Sequence, residues 1–274
     1  MSDDALTDFD RERFTHEGRS HDVLRSGTGP AVIVMAEIPG ITPKVAGFAR
    51  KVRDIGCTAV LPDLFGVAGR DPHPAAHGKA GAVMTGLRAL GQVCVSREFT
   101  ILAAGRTSPV VTWLRALAVR EHERCGGPGV GAVGMCFTGG YALAMATDER
   151  LLAPVLSQPS LPFAVTARNR RSLDISPADM RIVQQRCEAG LTVLGLRFRG
   201  DKLAPGGRFA LLREKLGEAF IGIELDAGAA NGDSPLPPHS VLTEHLIDEP
   251  GEPTREALDQ VLEHFRSRLL VTDS

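Results

Sequence analysis

Residues 130–145 constrain this 274-residue chain more than any other stretch. A β-branched apolar run ends at Gly134, Met135-Cys136-Phe137 follow, and beyond Gly139-Gly140 an Ala-, Leu- and Met-rich segment begins. The run reads as a buried strand and the last segment as a helix, so the few residues between them must turn the chain sharply. Glycines before and after the turn keep neighbouring side chains out of the way. Such a turn lifts one side chain above the carboxyl edge of a sheet, and here that side chain is the thiol of Cys136. A free cysteine often merely packs, so this thiol acquires meaning only from what the rest of the chain supplies.

The rest of the chain supplies an alternation of strands and helices. Residues 30–36 read as a strand buried on both faces, ending at Glu37-Ile38-Pro39-Gly40. A helix capped by Thr42, with Pro43 in its first turn, then runs to about residue 55. Further strands are expected at 58–61, 151–156, 191–198 and 219–225, and helices at 108–123, 177–189, 208–216 and 254–269. The pattern predicts an α/β fold with a mostly parallel central sheet and helices on both faces. The expected organisation is one domain over 1–274, with a polar N-terminal extension at 1–28 and an irregular insertion at 158–176. Residues 66–82 read as a Gly-, Pro- and His-rich loop, and the segment from there to about residue 104 fits neither helix nor strand cleanly.

Composition narrows the partners. A net charge of -2 gives no reason to expect nucleic acid or an anionic membrane surface. No apolar run approaches the roughly 20 residues of a membrane span, and the acidic N-terminus does not resemble a secretory leader. A cytoplasmic protein, monomeric or a small homo-oligomer, acting on a small molecule is therefore expected. Five cysteines without a CxxC spacing suggest neither a disulfide framework nor a zinc site, and no metal or cofactor is anticipated. The GxGxxG at 129–134 does not read as a dinucleotide fingerprint, because it contains the strand instead of following one. His73 and His77 are four apart, but Pro72 and Pro74 oppose the helix that would bring them together.

A thiol nucleophile needs a base, and the base needs a residue to orient it. In α/β-hydrolases the chain order is nucleophile, acid, His, with the last two on loops after later strands. Asp201, after the strand ending near Phe198, and His239, after the next strand, meet that order. His264 falls within the last helix, and His245 is a weaker alternative. Glu37 is a carboxylate at the end of a buried strand, an expensive placement without a task. The loop after that strand and the residue after the nucleophile supply backbone donors to an oxyanion in this fold, which points to the N–H groups of Ile38 and Phe137.

Ala36-Glu37-Ile38-Pro39-Gly40, Leu61-Pro62-Asp63-Leu64-Phe65, the Gly134-Met135-Cys136 elbow, Gly200-Asp201 and His239-Ser240 together resemble the dienelactone hydrolase family. The resemblance spans about residues 30 to 265. It implies an α/β-hydrolase in which Cys136 is the nucleophile, His239 the general acid/base, Asp201 its orienting carboxylate and Glu37 a strand-end glutamate that deprotonates the thiol. It also implies an arginine for a substrate carboxylate, for which Arg97 is the candidate, and it usually places Gly where this chain has Thr138. The expected activity is cysteine-dependent hydrolysis of a lactone, ester or thioester of a small acidic metabolite, through a thioester intermediate. Two other readings keep the same fold: transfer of the acyl group to an acceptor other than water, and a ligand or redox sensor without turnover.

Overall fold

The computed structural model describes residues 2–73, 104–234 and 236–270, together with positions 76, 78, 81, 84, 85, 91 and 99. Eight strands form one sheet: β1 (Asp10–His16), β2 (Arg19–Ser26), β3 (Ala31–Met35), β4 (Thr58–Asp63), β5 (Val130–Met135), β6 (Leu151–Ser157), β7 (Val193–Phe198) and β8 (Phe220–Leu225). Their order is β1-β2-β4-β3-β5-β6-β7-β8. β1 and β2 run antiparallel to their neighbours, and every pair from β4 to β8 is parallel. The described helices are α1 (Pro43–Asp54), α2 (Val110–Cys125), α3 (Tyr141–Met145), α4 (Ala167–Arg170), α5 (Pro177–Glu188), α6 (Gly206–Leu216) and α7 (Pro253–Leu269).

The continuous apolar runs follow from a sheet buried on both faces. In β3, Ala31, Ile33 and Met35 join a core with Trp113, Leu117, Tyr141 and Phe209, beneath α2, α3 and α6. Val32 and Val34 point the other way, into a core with Phe48 and Val52 of α1 and Leu258, Val261 and Phe265 of α7. The period of 2 thus assigns alternate residues of one strand to two separate cores. Thr42 caps α1 by accepting from Val45 N–H, as the Thr-Pro start predicts. The GxGxxG glycines at 131 and 134 lie inside β5, which removes the dinucleotide reading.

The N-terminus departs from expectation. Most of the stretch expected as a polar extension at 1–28 is the β1–β2 hairpin, which joins the sheet through β2 and β4. Its strands escape a hydrophobicity search because β1 is an edge strand with charged side chains, the usual protection of an exposed edge. Arg13 pairs with Asp22 directly opposite it. The insertion at 158–176 is largely irregular and holds only the short α4.

Candidate active site

β5 ends at Met135, and Cys136 adopts a φ of 50°, a left-handed conformation that a non-glycine residue takes only where its surroundings impose it. The surroundings are close-packed backbone. A Cβ on Gly134 would lie 2.1 Å from the Thr138 carbonyl oxygen, and one on Gly139 would lie 2.5 Å from Pro159 Cα. These two positions admit only glycine, and the turn they permit leaves Cys136 partly exposed.

Thr138 locks the turn to its neighbour strand. Its Oγ1 accepts from Met135 N–H at 3.0 Å and lies 3.0 Å from the Met35 carbonyl and 3.2 Å from that of Ala36. One buried hydroxyl therefore joins the Cys136 turn to the end of β3, where Glu37 and Ile38 follow. A glycine at this position lacks that link.

The structure brings Asp201 and His239 together from loops after β7 and β8. His239 Nδ1 lies 2.7 Å from Asp201 Oδ2, and their side chains are 14% and 3% exposed. Asp201 Oδ1 accepts from the N–H groups of Leu203 and Ala204. Burial opposes ionisation of Asp201, but His239 and these two amides outweigh it and hold the carboxyl below its usual range. Burial likewise opposes a charge on His239, and there Cys136 and Asp201 prevail, holding its pKa well above the ordinary histidine value. His239 Nε2, the ring nitrogen not taken by Asp201, is buried, and Cys136 is the side chain that acts on it. A ring nitrogen of His239, the Cys136 sulfur and a Glu37 carboxylate oxygen all lie within 4.8 Å of one another.

Glu37 is buried, 6% exposed, and held from three sides. Ser240 Oγ donates to Oε2 at 2.5 Å, Gln158 Nε2 donates to Oε2 at 3.3 Å, and Thr243 Oγ1 donates to Oε1. Gly40 N–H, not that of Ile38, closes the turn on the Glu37 carbonyl. Phe137, whose N–H is the second expected oxyanion donor, buries its ring between Phe65 and Phe99 at centroid distances of 5.6 and 5.2 Å. Arg97 lies outside the described residues.

Four residues at the site had no role assigned from the sequence, and of them only Ser240 was quoted there, as part of the His239-Ser240 motif. Gln158, Ser240 and Thr243 grip Glu37, and nothing local to any of them signals it. The fourth is Arg208 in α6, fully buried behind the site, which donates to the carbonyls of Pro159 at 2.5 Å, Leu161 at 3.0 Å and Pro162. Burial brings its pKa down to about 10, against the opposing pull of Asp201 and Cys136. The weaker histidine candidates have structural explanations. His245 Nδ1 accepts from the N–H groups of His239 and Ser240, so it shapes the loop that carries His239. Burial and Arg268 drive His264 in α7 down to about 4.

The sequence profile of the dienelactone hydrolase family matches residues 21–162. The chain belongs to the dienelactone hydrolase family. Membership makes it a hydrolase of the esterase type, and the eight-stranded sheet is the α/β-hydrolase sheet of that family. No curated protein matches the chain in sequence. Among solved structures, a dienelactone hydrolase-like promiscuous phosphotriesterase from metagenomic libraries is 16% identical with a TM-score of 0.61, covering 95% of this chain and 98% of its own. A putative dienelactone hydrolase from Klebsiella pneumoniae is 15% identical with a TM-score of 0.58, covering 94% and 97%. A cold-adapted esterase from an Arctic intertidal metagenomic library is 14% identical with a TM-score of 0.53, covering 97% of each chain. At these identities the likeness is one of fold. Among the described residues no helix is long and apolar enough to cross a membrane.

Proposed function

We propose that this member of the family hydrolyses a small lactone, ester or thioester with Cys136 as nucleophile, His239 as acid/base and Asp201 as the residue that orients it. One observation carries the reading. The thiol sits on a positive-φ turn within 4.8 Å of an imidazole whose Nδ1 is already bonded to a buried carboxylate.

Attack of the Cys136 thiolate on the acyl carbon would form a tetrahedral oxyanion facing the N–H groups of Ile38 and Phe137. Each such donor is typically worth ~3 kcal/mol to the transition state. Collapse expels the leaving group, which takes its proton from the His239 imidazolium, and leaves a thioester on Cys136. His239, neutral again, draws a proton from water as it attacks the thioester, and a second collapse restores the thiolate–imidazolium pair. The raised pKa of His239 suits this cycle, since the imidazolium is the form that delivers a proton to the leaving group. Glu37, fixed by Ser240, Thr243 and Gln158, would supply a second route to the thiolate by taking the proton when the thiol is neutral. A sensor without turnover needs a low-pKa thiol but no oxyanion hole, so the joint presence of Asp201, His239 and Glu37 beside donors for an oxyanion favours catalysis.

The test is burst kinetics with p-nitrophenyl acetate and a dienelactone on wild type and Cys136→Ala, with intact mass after quenching. A burst that requires Cys136, with an acyl adduct that turns over, is the expected result. Unchanged turnover in Cys136→Ala would overturn the assignment, and an adduct that water does not release would replace hydrolysis by acyl transfer.

A further inference from the structure

Cys136, His239 and Glu37 are also three ligand types that a borderline-soft divalent cation accepts, and they converge on one point. Their donor atoms lie within 4.8 Å of one another. Zinc bound tetrahedrally by sulfur, nitrogen and oxygen needs ligand separations of roughly 3.3–3.8 Å, so a contraction of about 1 Å closes the shell. This is the one group of its kind among the described residues.

What surrounds the three ligands strengthens the case. His239 Nε2 is buried and faces Cys136, while Nδ1 is taken by Asp201, so a metal bound here would replace the Cys136–His239 interaction with bonds to both. The other ring nitrogen is 2.7 Å from Asp201, reproducing the carboxylate–histidine–metal arrangement that fixes the ring and raises its basicity. Glu37 accepts all three of its hydrogen bonds, from Ser240, Thr243 and Gln158, which orient the carboxylate as hydrogen bonds orient metal-ligating carboxylates elsewhere. A thiolate and a carboxylate together neutralise a divalent ion, while the imidazole binds neutral. Three protein ligands leave a fourth position open to water on the partly exposed side of Cys136.

We infer that Glu37, Cys136 and His239 form a binding site for Zn2+ or a similar thiophilic divalent cation, and that its occupation reversibly switches the hydrolase off. Binding forms a metal–sulfur bond and releases the thiol proton, or the imidazolium proton where the thiol is already ionised, to solvent; no electron changes hands. The bound ion takes the lone pairs that the nucleophile and base need, so the same residues cannot bind metal and attack an acyl group. Metal binding stands on the geometry alone, whereas inhibition as its consequence rests on the proposed function.

The test therefore reads binding separately from catalysis. Co2+ titrated into the full-length protein at pH 7.5 should give one equivalent with a thiolate-to-cobalt absorption band. Cys136→Ser should abolish the band, and Glu37→Gln and His239→Gln should each weaken binding about tenfold or more. Zn2+ added to wild type should protect Cys136 from iodoacetamide, mapped by peptide mass, more than any other cysteine, and EDTA should restore alkylation and ester hydrolysis together. Wild-type protection keeps the test valid if a variant fails to fold. A band that survives in Cys136→Ser, or alkylation of Cys136 that millimolar Zn2+ leaves untouched, would overturn the metal site. Protection of Cys136 with hydrolysis undiminished would overturn the switch, and protection in a protein without esterase activity would keep the metal site while rejecting the proposed function.

Discussion

Ser240 donates a 2.5 Å hydrogen bond to Glu37 across 203 residues of sequence. Its neighbour His239 is bonded to Asp201, so one dipeptide braces both carboxylates of the site. Ser240→Ala should leave the Glu37 Oε2 atom with Gln158 alone. Loss of a hydrogen bond to a charged group costs about 1.5–3 kcal/mol, to be read as a lower urea midpoint. The kcat for ester hydrolysis should fall by about tenfold with KM nearly constant, and an unchanged kcat would show that Glu37 needs no anchor.

Arg208 holds three carbonyls of the 159–162 loop with no carboxylate hydrogen-bonded to it. Arg208→Met should strand those carbonyls and destabilise the protein by about 3 kcal/mol or more, whereas Arg208→Lys retains a charge and should recover part of the loss. Equilibrium urea unfolding decides it; a variant within experimental error of wild type would mean that the carbonyls find other partners.

His239 should titrate above its unfolded value of about 6.5, because Cys136 and Asp201 favour its cation despite burial. A pKa raised by folding contributes stability that is fully present below about pH 6.5 and is lost as pH climbs through the folded value. The stability advantage of wild type over His239→Gln should accordingly shrink as pH rises above 6.5. Imidazole proton shifts followed by NMR supply the direct check, with a lower midpoint expected in Cys136→Ala; a wild-type midpoint at or below 6.5 would contradict the ion-pair picture.

Asp174 is fully buried within the insertion and bonded to Ser108 at 2.5 Å. Burial pushes its carboxyl up to about 7, with the Ser108 bonds pulling the other way. Between about pH 4 and 7 the folded state then holds a proton that the unfolded chain releases, so this residue makes stability decline as pH rises. Asp174→Asn should flatten that decline, visible as a Tm that changes less between pH 5 and 8 than that of wild type. A steeper slope in the variant would refute the assignment.

The sequence revealed the parts of this protein whose physics is local or periodic. Strand β3 was legible because both its faces are buried, and the turn at Cys136 because only glycines fit at 134 and 139. Asp201 and His239 were found by their order along the chain, which the fold converts into a 2.7 Å contact. Thr138 stood out only as a departure from the family pattern; its link between two strand ends needed coordinates. Arg208 was hidden because an arginine in a helix of mixed charge reads as a solvated side chain. The β1–β2 hairpin was missed because its few apolar residues are scattered among cross-strand charge pairs, and the ladder that holds it depends on β4.

The placement of the site's parts along the chain has a consequence for synthesis. Glu37 and Cys136 leave the ribosome well before Asp201 and His239. A nascent chain thus carries its thiol for many seconds without the imidazole oriented beside it. Under the proposed function, esterase activity would then report the arrival of the loop that carries His239, making the reaction itself a clock for assembly of the site.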